Sequence, residues 1–216
     1  KDVSRFRASL TKQKEIIAET NCGEWIWVRE QAQIYINENQ FDRAQALYLK
    51  HIAAVKGDET SSQAYIALLA LRVKMRNFAD AKETCHRFFE LYGQRADLLR
   101  QAGHEVYVSA APLEGEERKE TLALSENLFR KSVDLTKTFD PPLNALCKFE
   151  LGNVLCLQNN IAQAVTLFRE SIDGTDDRLT KELRSQKLVD SLKSLGDYAN
   201  ARAILNELAR SPNENI

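Results

Sequence analysis

Apolar residues recur along this chain at helical spacing. Long stretches are rich in Ala, Leu, Glu, Lys, Arg and Gln, which favour helices, and Gly and Pro number only 8 and 4. We find no alternating run bounded by turn residues that predicts a strand. Near the N-terminus, Val3, Phe6 and Leu10 begin an apolar stripe that predicts a leading helix over 1–20. The pattern therefore predicts an all-α protein.

One short pattern of polar and apolar positions occurs four times. A polar turn is followed by an apolar or aromatic residue, by Ala three positions later, and by a large residue or Cys four positions beyond that. The first two Ala residues are 37 positions apart, as are the last two, and the interval of 83 between the pairs leaves room for one longer unit. The four are Ala44, Ala81, Ala164 and Ala201.

This repeat predicts a stack of helical hairpins. Turn-forming pairs end one helix and let the next run antiparallel to it, while Ala lets two helices cross closely. A single hairpin cannot bury its apolar stripe alone, so hairpins must stack into a right-handed superhelical solenoid with a concave and a convex face. The turn pairs are Asn39-Gln40, Arg76-Asn77, Asn159-Asn160 and Gly196-Asp197.

A family resemblance follows from the best-formed unit. It carries a Leu-Gly pair and a large residue before the turn, then an apolar residue, Ala and an aromatic residue, at Leu151, Gly152, Leu155, Ile161, Ala164 and Phe168. This pattern resembles the tetratricopeptide repeat (TPR) family. The spacing of 37 residues exceeds the family period of about 34, which leaves a related helical-repeat class as the alternative.

The resemblance implies one helical-repeat domain over 1–216. The third unit is irregular, because the polar segment 111–121, with its Pro and Gly, looks too long for the usual turn and predicts a mobile surface loop. The chain does not begin with Met, so we expect a fragment of a longer protein or a processed one. The units lie at about 25–58, 62–95, 96–135, 145–178 and 182–214.

Charge and cysteine content narrow the function classes. Lys plus Arg is 30 and Asp plus Glu is 31, a net charge of -1, which argues against nucleic-acid binding and against a polybasic membrane anchor. No run approaches the roughly 18 apolar residues of a membrane-spanning helix, and we see no signal peptide. The four Cys (22, 85, 147 and 156) show no CxxC spacing, so we expect reduced thiols in a cytoplasmic or nuclear protein.

Catalytic motifs are missing from the sequence. There is no GxSxG, Walker A loop, GxGxxG or HExxH pattern. His51, His86 and His104 fall in three different predicted helices, and Cys85 beside His86 would point about 100° away from it. We therefore expect no enzymatic activity, no cofactor and no metal site.

The resemblance also implies which residues line a partner-binding groove. In the family, the first helix of each unit faces the concave side, and here those positions are apolar with basic residues interspersed. They predict binding of a partner helix or extended peptide with apolar anchors and some acidic residues. The alternative is that several of them only pack against neighbouring helices. The candidates are Arg29, Gln33, Ile36, Ile66, Lys74, Arg100, His104, Tyr107, Phe149, Asn153, Gln186 and Asp190.

These observations predict a non-enzymatic scaffold for protein–protein interaction. The alternative is a regulatory or sensor arm of a larger signalling or transcription-regulating protein, which would bind a small ligand or an autoinhibitory segment. Ile204, Leu205 and Leu208 give the last helix an apolar face, which would serve self-association or a partner, or else pack inward on its own hairpin.

Overall fold

The computed structural model describes residues 24–55 and 59–210, and within these ranges the chain forms ten α-helices and no strand. Short turns join them into five helical hairpins, as the repeat predicts. The leading helix expected over 1–20 lies outside the described residues. The helices are α1 (Trp25–Asn37), α2 (Phe41–Ala54), α3 (Glu59–Lys74), α4 (Phe78–Tyr92), α5 (Ala96–Ser109), α6 (Gly115–Thr136), α7 (Pro141–Leu157), α8 (Ile161–Asp173), α9 (Arg178–Ser194) and α10 (Tyr198–Arg210).

The chain divides into two compact units at the end of α4, between Leu91 and Tyr92. Helices α1 to α4 build the first unit, and α5 to α10 build the second. The single domain over 1–216 stays a prediction.

Four of the hairpins have the same type of turn, at the places that the sequence predicts. In each turn one residue has a left-handed backbone conformation, with φ between 58° and 77°. The next residue donates its N–H to a carbonyl five positions back, as from Asn160 to Leu155 at 2.8 Å. The left-handed residue donates to a carbonyl three positions back, as from Asn159 to Cys156 at 3.0 Å, which completes a Schellman motif. The left-handed residues are Asn39, Arg76, Asn159 and Gly196.

The repeated Ala is buried in the first turn of each second helix. Its N–H donates to the carbonyl of the last turn residue, as from Ala164 to Asn160 at 3.2 Å. Ala44, Ala81 and Ala164 are fully buried and Ala201 is 2% exposed. The predicted burial of the repeated Ala is confirmed, and its role at a close helix crossing stays a prediction.

The predicted loop over 111–121 is wrong. Helix α6 begins at Gly115, so only residues 110–114 separate it from α5. The left-handed turn at Gly115 (φ 57°) ends the irregular segment, and acidic residues, which favour a helix N-terminus, follow immediately. Thr121 is already buried in the helix. A polar composition of Glu, Arg and Lys suits an exposed helix as well as a loop.

Two aspartates set the start of helices in the second unit. The Leu143 N–H donates to Oδ1 of Asp140 at 3.0 Å, and Pro141 occupies the first helical position, where its missing N–H costs nothing. Helix α7 therefore begins four residues before the predicted unit. The Thr180 N–H donates to Oδ2 of Asp177 at 2.7 Å and caps α9 in the same way.

Each unit has its own apolar core between the helices of successive hairpins. In the first unit the buried cluster comprises Val28, Ala32, Ala44, Tyr48, Leu68 and Leu71. In the second it comprises Ala110, Leu122, Phe129, Leu151, Val154, Leu155, Ala164, Val165, Phe168, Leu188, Val189, Leu192 and Ala201.

Candidate functional site

The first helices of the three hairpins in the second unit are neighbours. We call the first helix of each hairpin an A helix and the second a B helix. An ion pair between Arg100 and Glu150 joins α5 to α7, and Arg184 of α9 lies over the ring of Phe149 on α7. Helices α5, α7 and α9 therefore form a layer of A helices.

Glu150 is the centre of a charged cluster between α5 and α7. Nη1 of Arg100 donates to both of its carboxylate oxygens, at 3.1 and 3.2 Å, and Nδ1 of His104 lies 3.1 Å from Oε1. Only 13% of the Glu150 side chain is exposed, against 24% for Arg100 and 48% for His104. A half-buried carboxylate is stabilised by such charge-assisted hydrogen bonds, so this cluster holds the two A helices in register.

Arg184 connects α9 to the preceding hairpin. It is buried, and Nη1 donates to the Ser171 carbonyl in the last turn of α8, where the helix dipole favours a cation. Its guanidinium carbon lies 5.6 Å from the centre of the Phe149 ring. Burial lowers the pKa of Arg184, while the carboxylates of Asp177 and Glu150 act in the opposite direction. Arg184 thus packs the layer together.

The remaining predicted groove residues of α5 and α7 are half-buried. Phe149 packs against Phe168 with ring centres 5.6 Å apart, so part of its surface belongs to the core. Tyr107 packs beside the same core and 6.5 Å from the His104 ring, and burial raises its pKa. Asn153 is partly exposed between the positions of Phe149 and Leu157. The structure therefore brings these residues to one layer with Arg100 and His104.

On α9, Gln186 and Asp190 are both exposed. The amide of Gln186 donates to Oδ1 of Asp190 at 3.2 Å, one helical turn away.

The predicted groove residues of α1 lie at the surface of the first unit or at its edge. Arg29 pairs with its neighbour Glu30 at 3.2 Å, and the amide of Gln33 donates to Asn37 at 3.0 Å. Ile36 is half-buried against the core cluster. Local pairs of this kind on an exposed helix contribute little stability.

On α3 the two predicted groove residues differ. Ile66 is only 5% exposed, so its side chain belongs to the interior and offers a partner almost no surface. Lys74 is exposed, with its ammonium 5.6 Å from the centre of the Phe41 ring in a cation–π contact.

Four large apolar side chains on the A helices of the second unit are exposed. They are Val108 on α5 (50%), Leu157 on α7 (42%), and Leu179 and Leu183 on α9 (75% and 60%). Val108 follows His104, and Leu157 follows Asn153, by four residues, which places each pair on one helix face. We define the A face as Arg100, His104, Val108, Phe149, Asn153, Leu157, Leu183, Gln186 and Asp190.

The sequence did not reveal Glu150 and Arg184. Both are charged residues in the middle of helices, and charged side chains are usually exposed to solvent. One feature of the sequence could have indicated Glu150. Arg100 occupies a helix position that is half-buried, and a cation there requires a carboxylate nearby.

Among the described residues, Cys85 and Cys147 are buried thiols, and the Cys147 sulfur lies 3.1 Å from the Ser132 hydroxyl. Cys85 is buried, whereas the neighbouring His86 is exposed and lies 3.5 Å from Glu90. Burial raises the pKa of Cys85 to about 12 and that of Cys147 to about 11. Both thiols are therefore protonated at neutral pH.

In residues 24–55 and 59–210, no group of three or more His, Cys, Asp or Glu side chains is placed to hold a metal ion. Over the same ranges, no helix combines the length and the apolar character needed to cross a membrane.

A cavity of about 530 Å³ lies within the first unit, between α2, α3 and α4. Its lining is mixed: the apolar residues are Leu49, Ile52, Ala53, Leu68 and Leu91, and the polar ones are Ser61, Tyr65, Arg72, Glu83, Thr84 and Arg87. None of the predicted groove residues lines it.

The fold defined by these hairpins is that of TPR-like repeat proteins, which confirms the resemblance seen in the sequence. Among solved structures, BtubC (BKLC) from P. vanneervenii superimposes with a TM-score of 0.61 at 15% identity, covering 97% of this chain and 91% of that one. A putative kinesin light chain from Podosopora anserina with nearly identical TPR-like repeats gives 0.58 at 12% identity, covering 84% and 92%. MamA protein gives 0.53 at 13% identity, covering 85% and 89%.

No family model and no curated protein sequence matches the chain. At these low identities the structural likeness is one of fold.

Proposed function

We propose that this protein is a non-enzymatic scaffold that holds a helix or an extended segment of another protein against the A face. The observation that carries the proposal is the exposure of Val108, Leu157 and Leu183 on three adjacent A helices. Large apolar side chains grouped on one surface typically mark a protein-binding site.

The charged cluster supports the same function. Because Arg100, His104 and Glu150 hold α5 against α7, the apolar side chains beside them are presented on a rigid surface. A preorganised surface loses little conformational entropy when a partner binds.

The exposed polar groups indicate the chemistry of the partner. Lys187 lies one turn after Leu183 on α9, Lys193 lies nearly three turns after it, and both are exposed. An amphipathic segment with two or three aliphatic anchors and a carboxylate at one end would contact both the apolar residues and these cations.

The partner can be identified by photocrosslinking in extracts of the source cell. A benzophenone amino acid is placed at Leu157 on the A face, and at Gln163, which is exposed on the B helix α8, as the matched control. We expect one protein to be crosslinked from position 157 and not from position 163. Equal crosslinking from both positions would contradict the proposal.

Binding of that protein is then measured by titration calorimetry. The double variant Leu157→Asp and Leu183→Asp should raise the dissociation constant by about tenfold or more, which corresponds to about 1.4 kcal/mol. The variant Gln163→Asp should bind as the wild type does. Unchanged affinity of a folded double variant would exclude the A face as the site.

The cavity of the first unit favours a second candidate function, that of a sensor for a small ligand. Its volume of about 530 Å³ and its mixed lining would suit a small ligand that has both apolar and polar groups. Ala53 lines the cavity and is exposed, so a larger side chain there, as in Ala53→Trp, should obstruct it.

Native mass spectrometry of protein purified from its source tests this second function. We expect a bound small molecule on the wild type that is absent from Ala53→Trp. A wild-type mass equal to that of the bare chain, or a ligand that Ala53→Trp retains, would rule out this cavity as the sensor site.

A further inference from the structure

The cavity of the first unit has a structural equivalent in the second unit. Each is lined by two successive B helices and the A helix that connects them. The equivalent is a cavity of about 350 Å³ between α8, α9 and α10. Counted from the repeated Ala, the two are lined from matching positions: Ile52 and Ile172 lie eight residues after it, and Leu68 and Leu188 lie thirteen residues before the next one. The two cavities can therefore be compared position by position.

The first B helix of each cavity brings different side chains to it. On α8 these include the charged residues Arg169 and Asp173. At the matching positions of α2 stand Leu49 and Ala53, both exposed. The wall that the second unit builds partly from charged residues is thus apolar in the first unit.

The A helix shows the opposite change at Arg72. Nine residues before the repeated Ala, the other three copies of the repeat have Tyr35, Leu155 and Leu192, and both leucines are buried. Arg72 takes this place in the first unit and lines the cavity, with only 13% of its side chain exposed. A cation at such a position loses hydration, which other polar groups must replace.

The protein replaces this hydration only in part. Nε of Arg72 donates to Gln45 at 3.3 Å, and Nη1 donates to the Asp80 carbonyl at 3.0 Å and to the Thr84 hydroxyl. Among the described residues, Nη2 has only a contact of 3.9 Å with Oδ2 of Asp80, which is too long for a hydrogen bond. That oxygen accepts from the Asn77 amide at 2.8 Å instead. The N–H groups of Nη2 are therefore available to a ligand.

The other charges that line the cavity neutralise each other. Glu83 and Arg87 pair at 2.6 Å on α4. Arg72 therefore leaves the lining with one net positive charge, beside an apolar wall.

We propose that this cavity binds a monocarboxylate with an apolar chain, its carboxylate on Nη2 of Arg72 and its chain beside Leu49, Ile52 and Leu68. The inference rests on the small-ligand function proposed above for this cavity and names the class of ligand. A hydrogen bond between a guanidinium and a carboxylate is charge-assisted and is strong where water is scarce. One open nitrogen suits a carboxylate better than a phosphate group, whose three oxygens need more donors.

The shape of the cavity fits an elongated ligand. Four residues of α3 line it at intervals of three or four positions, which places them on one face of the helix. From the first to the last they span about 16 Å at the rise of an α-helix. Arg72 lies at one end of this row, so a chain bound to it can run along the apolar wall. The four are Ser61, Tyr65, Leu68 and Arg72.

Ligand-observed NMR titration of the full chain with sodium octanoate tests the proposal. The uncharged probe of the same chain length is 1-octanol. We expect the wild type to bind octanoate with a dissociation constant at least about tenfold below that of 1-octanol, because only octanoate makes the charge-assisted hydrogen bond. This comparison needs no variant, so it is decisive even if a change at Arg72 weakens the fold.

The variant Arg72→Leu introduces the residue that the second unit has at this position. It should raise the dissociation constant of octanoate at least about tenfold and change that of 1-octanol no more than about twofold, since the apolar wall is kept. Lys50→Leu is the matched control, because it removes a cation from the exposed surface of α2 outside the cavity. It should leave both constants unchanged.

Equal affinity of the wild type for the two probes would overturn the carboxylate class, as would octanoate binding that Arg72→Leu retains in full. Failure to bind octanoate at about 5 mM would also overturn it. Ala53→Trp separates these outcomes from failure of the cavity itself. If the two probes bind equally well and Ala53→Trp loses both, the small-ligand function stands and only the carboxylate class falls. If both probes bind Ala53→Trp as they bind the wild type, the cavity is not the site.

Discussion

A β-carbon on Gly152 would lie 2.6 Å from Cε1 of Phe168, so the Phe168 ring of α8 packs directly against the backbone of α7 at this glycine. The same arrangement occurs in the preceding hairpin, where a β-carbon on Gly103 would lie 3.1 Å from the ring of Phe129. In both hairpins the A helix thus receives an aromatic ring of its own B helix against its backbone.

The variant Gly152→Ala should therefore destabilise the second unit. Phe168 is fully buried and has no room to move away, so the expected loss is about 1 to 3 kcal/mol, as for other overpacked cores. Gly103→Ala serves as a milder comparison and should lower the free energy of unfolding by less, because its contact of 3.1 Å needs only a small shift of the Phe129 ring. Urea unfolding followed by circular dichroism measures both, and equal midpoints for Gly152→Ala and the wild type would contradict the close crossing.

Asn159 is the left-handed residue between α7 and α8, with φ of 62°. Asn159→Ala should lower the free energy of unfolding by about 1 kcal/mol, because a β-carbon disfavours this conformation and Ala lacks the polar side chain that makes Asn tolerant of it. Asn159→Gly should differ from the wild type by no more than about 0.5 kcal/mol. If the two variants unfold at the same urea concentration, the turn conformation is not what the structure shows.

Glu150 neutralises Arg100 between α5 and α7. Glu150→Leu should lower the free energy of unfolding by about 1 to 2 kcal/mol. This loss is smaller than for a fully buried ion pair, because Arg100 and His104 keep part of their hydration. In the double variant with Arg100→Met, no charge is left unpaired, so part of the loss should be recovered. A double-mutant cycle from urea unfolding measures the coupling, and purely additive losses would show that the pair contributes nothing.

Stability should fall in acid because three aspartates, Asp97, Asp177 and Asp197, have a lowered pKa in the folded chain. The hydrogen bond with Thr180 lowers the pKa of Asp177, and that with Asn200 lowers the pKa of Asp197, from an ordinary value of 3.8. Since the folded state favours the charged form, this stabilisation is present above the ordinary pKa and is lost as the pH falls through the lowered one.

The double variant Asp177→Asn and Asp197→Asn keeps the capping oxygens but removes the titration. We expect the wild type to melt at the higher temperature at about pH 6, and the difference between the two to shrink as the pH is lowered to about 2. Thermal melts followed by circular dichroism give this difference. A gap that widens in acid would mean that the sign of the pKa shifts is wrong.

The candidate site was predicted only in part from the sequence. The structure puts Arg100, His104 and Phe149 in one layer of helices, whereas Ile66 is interior, and partner binding at these residues stays a prediction. Periodicity assigns a residue to a helix face, but the distance to the next helix decides whether that face is open. Glu150 and Arg184 were missed for the same reason, since their partners are far away in sequence.

The sequence by itself determined the helices, four of the five hairpin turns and the buried Ala of each repeat, because these follow from contacts among residues close together in the chain. It misjudged 111–121, where charged residues continue a helix that Gly115 begins. The tertiary structure alone decided which apolar side chains stay exposed. Phe168 and Leu205 occupy equivalent positions in sequence, but among the described residues only Phe168 lies under the helix of a following hairpin, and burial depends on that neighbour.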